Sequence, residues 1–207
     1  MANSQFGYDV TAPTTGTTPY GCSVDFVVST GVDTIASKTG AGGWCTAGNL
    51  LAFSNTGQSG NYLECSITYA YNISGLSRGW YFWYGYNGSG FYLSLGTNPV
   101  GDSVTIDIQW NGSQFQATLT DHTHSGNNKV AGFGSGTPAQ FAIKSANVWF
   151  ENGGDTTCAD YNSFGGVDFK NMTYYDSSSN TISYTPTHTA HTNPNNPNGC
   201  TPSVSWG

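Results

Sequence analysis

The chain of 207 residues contains two glutamates, Glu64 and Glu151, and they are its first candidates for acid–base chemistry. Glu151 ends a segment, 145–152, whose alternating apolar residues predict a strand that is buried on one face. Glutamate is depleted in strands. Glu151 would share its strand face with Trp149 and Asn147, while Ala146, Val148 and Phe150 occupy the other. This placement fits a catalytic carboxylate, and equally a surface-facing glutamate.

Other residue types that carry out chemistry lack a suggestive spacing. The sequence contains no glycine-rich phosphate loop, no serine nucleophile elbow and no zinc-binding helix motif. His122 with His124, and His188 with His191, are close enough in sequence to hold a metal. Both pairs lie in polar, Thr- and Asn-rich segments, which favours solvated loop histidines. We therefore expect no metal and no cofactor.

The five cysteines have no metal-ligand spacing and more plausibly serve structure than nucleophilic chemistry. In an extracellular setting they predict up to two disulfides and one leftover thiol, with the pairing open. They are Cys22, Cys45, Cys65, Cys158 and Cys200.

Aromatic residues are concentrated in the segment 79–84, which predicts a strand with large rings on both faces. Trp80, Phe82 and Tyr84 would face one way, and Tyr81 and Trp83 the other. Since both faces cannot easily be core, one should line a groove that binds peptides or sugars.

Composition predicts an all-β fold and argues against a nucleic-acid or membrane-bound partner. Charged residues make up only 8% of the chain, aromatics 14%, and there are 28 glycines. Lys and Arg total 5 against 12 Asp and Glu, which gives a net charge of -7 and a pI near 4.6. Such a charge repels phosphate backbones and anionic lipids. The start of the chain lacks a signal peptide, and the composition favours a secreted protein from which it was removed.

About ten short strands separated by turn residues predict one domain over residues 1–207, a two-sheet antiparallel β-sandwich of jelly-roll type. The clearest signal is a hairpin, in which residues 103–110 and 114–119 alternate around the turn Asn111-Gly112. Residues 185–207 are rich in Pro, Asn and Thr, and they predict an irregular tail over the surface. We expect a monomer.

Several segments, in order along the chain, resemble the glutamic peptidases (eqolisins), which are acid endopeptidases built on an antiparallel β-sandwich. They are Asn3-Ser-Gln-Phe-Gly-Tyr, Trp44 followed by Gln58-Ser-Gly60, Trp80-Tyr-Phe-Trp-Tyr84, Gly101-Asp-Ser-Val-Thr-Ile, Ala146-Asn-Val-Trp-Phe-Glu151 and Phe164-Gly-Gly-Val-Asp-Phe169. Each motif is weak alone, and the ordered set covers most of the chain.

The resemblance departs from the family pattern at three acidic positions. Asn147 and Phe82 stand where the family has glutamates, and Asn61 and Tyr62 follow Gln58-Ser-Gly60 where it has an acidic residue. An alternative alignment places Glu64 at the position of the family's catalytic Gln. It would give a dyad of two glutamates.

The resemblance implies an acid-acting endopeptidase in which Glu151 activates water and Gln58 stabilises the oxyanion, with Glu64 as the alternative partner. Trp44, Trp80, Phe82, Tyr84 and Trp149 would bind a polypeptide substrate. Two other functions stay open. Glu64 and Glu151 could be the carboxylates of a glycoside hydrolase, or the chain could be a non-catalytic sandwich that binds peptide or glycan.

Overall fold

The computed structural model describes residues 3–38, 43–57, 59–133, 139–153, 158–192 and 202–207. In this part of the chain β-strands predominate, joined by turns in which glycine and asparagine often adopt positive φ. One short α-helix, α1, spans Val32–Lys38, and 3-10 turns span Ser125–Asn127 and Cys158–Ser163. No helix among the described residues is long and apolar enough to cross a membrane.

The strands have the following bounds in chain order. The first seven are β1 (Asn3–Thr11), β2 (Gly21–Val27), β3 (Gly43–Phe53), β4 (Tyr62–Tyr71), β5 (Gly79–Tyr86), β6 (Ser89–Ser94) and β7 (Ser103–Trp110). The other seven are β8 (Phe115–Asp121), β9 (Lys129–Gly132), β10 (Ser145–Gly153), β11 (Val167–Tyr175), β12 (Thr181–Ile182), β13 (His188–Thr192) and β14 (Val204–Trp206).

The strands form two sheets, which confirms the predicted antiparallel sandwich. The first sheet has the order β13-β1-β10-β3-β4-β5-β6, and the second β12-β11-β2-β7-β8-β9. Neighbours within both sheets are antiparallel, whereas β14 pairs with β11 in parallel. The predicted hairpin is β7–β8, with Ile106 opposite Leu119.

Alternation along the strands builds one core between the two sheets. Leu63, Cys65 and Ile67 of β4 are fully buried there, together with Ile106 and Ile108 of β7. Burial of this apolar surface is the main force that holds the sheets face to face. The intervening residues of β4, including Glu64, therefore point to the outer face of the first sheet.

The C-terminal region contains two strands, so the predicted irregular tail is corrected in part. β13 extends the first sheet by pairing with β1, and β14 pairs with β11. Trp206 stacks on His188 with ring centroids 4.6 Å apart and meets Tyr8 edge-on. Regular pairing is possible here because β1 and β11 would otherwise leave backbone groups unpaired.

A β-bulge in the central strand β3 changes which face its side chains occupy. Thr46 pairs with Thr68, but Gly48 pairs with Ile67, so β3 has one residue more than its neighbour. The pairing with β10 shows the same extra residue. One extra residue reverses the alternation beyond it. Asn49, Leu51 and Phe53 consequently lie on the outer face instead of in the core.

Candidate active site

The two glutamates, distant in sequence, meet on the outer face of the first sheet. Glu151 lies on β10 and Glu64 on β4, with β3 between them. Gln5 on β1 is directly opposite Glu151, and Glu64 is directly opposite Leu51 of β3. Four neighbouring strands thus each bring one polar side chain, from Gln5, Glu151, Asn49 or Glu64, to the same place.

A single side-chain amide connects the two carboxyl groups. Asn49 Nδ2 donates to Glu64 Oε1 at 2.5 Å and to Glu151 Oε2 at 3.1 Å. The other oxygen of Glu151, Oε1, accepts from Gln5 Nε2 at 2.8 Å. The two carboxyl groups are therefore no more than two hydrogen-bond lengths apart.

The two glutamates differ in the hydrogen bonds that their carboxyl groups accept, and these bonds affect how readily each group ionises. Both oxygens of Glu151 accept from amides, and hydrogen bonds of this kind stabilise a carboxylate. Burial, and after it the nearby Glu151 carboxylate, raise the pKa of Glu64 to about 8, although the Asn49 hydrogen bond lowers it. A pKa of about 8 keeps Glu64 protonated at neutral pH, beside a Glu151 carboxyl group whose two oxygens both accept hydrogen bonds.

The carboxyl pair lies at the floor of a cleft of about 440 Å³. Its walls are mostly aromatic and hydroxyl-bearing, and no Lys, Arg or His lines it among the described residues. The lining residues beyond the pair and Gln5 are Trp44, Thr46, Leu51, Phe53, Tyr62, Ser66, Thr68, Trp83, Gly88, Tyr92 and Trp149. With no Lys, Arg or His among the described lining residues, a retained proton is what lowers the charge of the pair.

Glycines allow tryptophan rings to lie flat on the sheet beside the pair. A Cβ on Gly85 or Gly90 would come within 2.8 Å of the Trp83 ring, so a side chain at either position would collide with the indole. Gly85 is directly opposite Glu64, which places the Trp83 indole next to that carboxyl group. Gly153 leaves room in the same way for Trp44. Flat indole faces exposed in a cleft can stack on planar or ring-bearing parts of a substrate.

The predicted site residues lie in the cleft, in the core between the sheets, or outside the described residues. Glu64, Glu151, Trp44 and Trp149 all line the cleft. Gln58, the predicted oxyanion donor, lies outside the described residues.

The substrate-binding role predicted for Trp80, Phe82 and Tyr84 is corrected by the structure. These side chains face the core between the sheets, where Phe82 is fully buried and Trp80 packs edge-on against Tyr69. The opposite face of β5 carries the cleft residue, Trp83. Ile67 of β4 lies in the core and pairs with Phe82, so the register between β4 and β5 puts Phe82 in the core as well.

Three of the five cysteines are free, so the chain can form at most one of the up to two disulfides expected, with three thiols left over instead of one. Cys22, Cys45 and Cys65 are buried thiols, and burial raises the pKa of each, so they are poor nucleophiles. The side chain of Cys158 and the whole of Cys200 lie outside the described part, so a pair between them stays a prediction.

The histidines separate into two settings away from the glutamates. His124 Nδ1 is 2.7 Å from Asp102 Oδ2, and Asp121 lies beside them, the possible ligand atoms of all three lying within 4.8 Å of one another. His191 is 3.2 Å from Asp9 Oδ1 and stacks on Trp149. His122 and His188 are both exposed, but His188 belongs to strand β13 and stacks on Trp206, so it is not the solvated loop histidine that was expected.

Comparison with known proteins shows a fold that this chain shares with peptidases. A crystal structure of scytalido-glutamic peptidase with a peptide-based transition-state analogue matches at a TM-score of 0.52 and 14% identity, over 86% of this chain and 83% of that one. A second structure of that peptidase, with a transition-state analogue inhibitor, matches at a TM-score of 0.50 and 15% identity, over 87% of this chain and 84% of that one. The match to a Bacillus licheniformis β-glucanase is weaker, at 0.35 and 14% identity over 89% and 74%.

No family model matches the sequence. No curated protein matches it either. The chain therefore has the β-sandwich fold of a glutamic peptidase, at an identity too low to place it in that family.

Proposed function

We propose that this protein is an endopeptidase in which Glu64 and Glu151 form the catalytic pair. The observation that carries the proposal is the pair of carboxyl groups held on one amide at the floor of an aromatic cleft. Two carboxyl groups at such close range ionise in turn rather than together. The shared proton lets one group act as a base while the other donates a hydrogen bond.

In the proposed reaction the ionised Glu151 takes a proton from water, and the resulting hydroxide attacks the carbonyl carbon of the peptide bond. Protonated Glu64 donates a hydrogen bond to the carbonyl oxygen and stabilises the negative charge that develops there. Glu151 then passes its new proton to the leaving amine as the C–N bond breaks. Water is consumed, and both glutamates return to their starting states.

Two features support a peptide as substrate. The fold is that of peptidases whose structures contain peptide-based inhibitors. The alternative alignment puts Glu64 where glutamic peptidases have their catalytic Gln. A protonated carboxyl group and an amide both donate a hydrogen bond from this position, so the two serve one role.

Glycoside hydrolysis is the second candidate, because of the carboxyl spacing and the tryptophans. Retaining glycosidases hold their two carboxyl groups about 5–5.5 Å apart, which is comparable to two hydrogen-bond lengths. The Trp83 and Trp44 rings could stack on sugar rings. Here Glu64 would be the general acid and Glu151 the nucleophile.

Hydrolysis of a denatured protein and of soluble glucans, measured from pH 3 to 9, tests both candidates. For a peptidase, Glu64→Gln should keep activity within about tenfold of wild type, because the amide still donates to the carbonyl oxygen. For a glycosidase the same variant should lose at least ~100-fold, since an amide cannot protonate the leaving oxygen. Folded wild-type protein that hydrolyses neither substrate would refute both.

A further inference from the structure

Asn49 occupies an unusual position between the two glutamates. Its side chain is fully buried, and Nδ2 uses both hydrogens on carboxyl oxygens, one from each glutamate. Its Oδ1 is buried without a hydrogen-bond partner among the described residues. A buried acceptor left without a partner costs about 1–3 kcal/mol. Asn49 therefore keeps this bridge at a cost in stability.

The bulge in β3 is what brings Asn49 to this position. A Cβ on Gly48 would collide with the Phe26 ring of the facing sheet, so Gly48 points into the core. Asn49 is consequently the first residue after the bulge to reach the outer face. Without the extra residue it would point between the sheets and Leu50 would point into the cleft.

We propose that Asn49 is the positioning residue of the catalytic pair. Through one nitrogen it holds both carboxyl groups against the same substrate group and fixes which oxygen of Glu64 faces the substrate. This inference rests on the proposed function, because it gives Asn49 a role in that reaction. With Oε1 of Glu64 bound to Asn49, the proton of Glu64 lies on Oε2 and is available to the carbonyl oxygen.

Among the described residues around Glu64, Asn49 is the one whose contact favours the ionised form. The groups that face it are Glu151 on β10, Tyr62 on its own strand and Tyr92 on β6. The Cys65 thiol lies on the opposite face of β4. Burial and Glu151 raise the pKa of Glu64, and the Asn49 hydrogen bond lowers it. Removing the amide should therefore raise this pKa further.

Asn147 provides a matched control for Asn49. It is also fully buried, donates Nδ2 to a carboxylate (Asp9 Oδ1, 3.1 Å), and has an unpartnered Oδ1. It is not among the described residues that line the cleft around the glutamates. Asn49→Ala and Asn147→Ala should therefore have similar costs in stability, while only the first removes the bridge.

The experiment measures kcat and KM from pH 4 to 10 for wild type, Asn49→Ala, Asn49→Asp and Asn147→Ala. For Asn49→Ala we expect a 10- to 100-fold loss in kcat, little change in KM, and an alkaline midpoint above that of wild type. Asn49→Asp should raise this midpoint more, because a third carboxylate adds negative charge. An unchanged midpoint in Asn49→Ala, or an equal shift in Asn147→Ala, would overturn the proposal.

A second readout does not depend on activity. The chain contains only two glutamates, so labelling their carboxyl carbons with carbon-13 gives two signals to follow by NMR, and Glu64→Gln assigns them. The Glu64 midpoint should be higher in Asn49→Ala than in wild type and unchanged in Asn147→Ala. If wild type hydrolyses nothing, the proposed function fails while this shift still supports the bridge. If wild type is active but the midpoint does not move, the bridge fails alone.

Discussion

The protein contains two places where carboxyl groups are packed together, and they are built in opposite ways. The cleft pair, Glu64 and Glu151, has one bridging amide and open space above it, and no Lys, Arg or His among the described residues that line the cleft. The turn cluster, Asp102 and Asp121 with His124, closes the end of the β7–β8 hairpin. Asp102, Asp121 and Glu151 are all buried, while Glu64 is partly exposed, so burial of a carboxyl group alone does not separate a reactive pair from a structural one.

The turn cluster satisfies its charges locally. Asp121 Oδ1 accepts from the backbone N–H groups of Thr123 and His124, and Oδ2 accepts from Asn127 Nδ2. Burial opposes ionisation, but these bonds hold the pKa of Asp121 below its usual value. The bond to Asp102 raises the pKa of His124, which favours a positively charged imidazole beside the aspartates. The hydrogen bonds of Asp121 therefore hold the turn together, whereas the carboxyl groups of the cleft pair face a cleft that a substrate can enter.

The largest effect is expected from Glu151→Gln. An amide cannot take a proton from water, so kcat/KM should fall by about 10³-fold, within the range for loss of a general base. Steady-state hydrolysis together with circular dichroism would show lost rate in a folded protein. A folded Glu151→Gln with near wild-type rate would remove Glu151 from the mechanism.

Glu64→Ala is expected to have the next largest effect, since it removes the hydrogen bond to the developing oxyanion. A loss of about 10²-fold in kcat is the usual cost of one such donor. Wild-type activity should also decline on the alkaline side with a midpoint near 8, where Glu64 loses its proton. Glu64→Gln should lack this decline, and a decline that persists in it would assign the midpoint to another group.

Asp121→Asn tests whether the turn cluster serves stability alone. The new amide would point an N–H donor at the Asn127 Nδ2 donor, which leaves buried groups unsatisfied. We expect a loss of about 1–3 kcal/mol in the free energy of unfolding, measured by urea denaturation, with hydrolysis unchanged. Loss of activity from a variant that remains folded would contradict a purely structural cluster.

Trp83→Ala should weaken substrate binding beside Glu64. Loss of one stacking surface should raise KM about tenfold while kcat changes little, if the ring binds ground state and transition state alike. Trp110→Ala on the second sheet is the control, since Trp110 packs on Phe115 away from the cleft. Equal kinetic effects of the two variants would show that Trp83 acts only through stability.

The smallest effect is a change in how stability depends on pH. The folded pKa of Glu64, about 8, lies above the ordinary value of 4.5, so the folded state binds the extra proton between these values. Stability from this group is therefore full below about pH 4.5 and decreases as pH rises towards 8. The difference in unfolding temperature between Glu64→Gln and wild type should be larger at pH 8 than at pH 4, by at least ~2–4 °C in favour of the variant. In a chain of this length, such a difference corresponds to about 1 kcal/mol. A parallel shift at both pH values would contradict the raised pKa.

Much of the sandwich was predictable, because alternation along single strands reports which face is buried. The β7–β8 hairpin and the two faces of residues 145–150 followed directly from it. The rarity of glutamate also pointed to both members of the pair. The sequence could not show that Glu64 and Glu151 meet, because their contact depends on β10, β3 and β4 being neighbours in the sheet.

The errors and omissions have physical causes. Trp80 and Phe82 were assigned to the groove because β5 carries large rings on both faces. Deciding which face lines the groove requires the register between β5 and β4. Asn49 was missed because a bulge reverses the alternation at that point, and Gly48 was its only sequence signal. Gln5 was part of a resembling segment, but its bond to Glu151 depends on the pairing of β1 with β10.

The most direct test of the central claim is the carbon-13 titration of the two glutamate carboxyl groups in wild-type protein. If the pair shares one proton, the Glu64 signal should titrate near pH 8, and Glu151→Gln should lower that midpoint by removing the neighbouring charge. Two independent titrations near the ordinary value of about 4.3, unchanged by the substitution, would contradict a shared proton and with it the proposed catalytic pair.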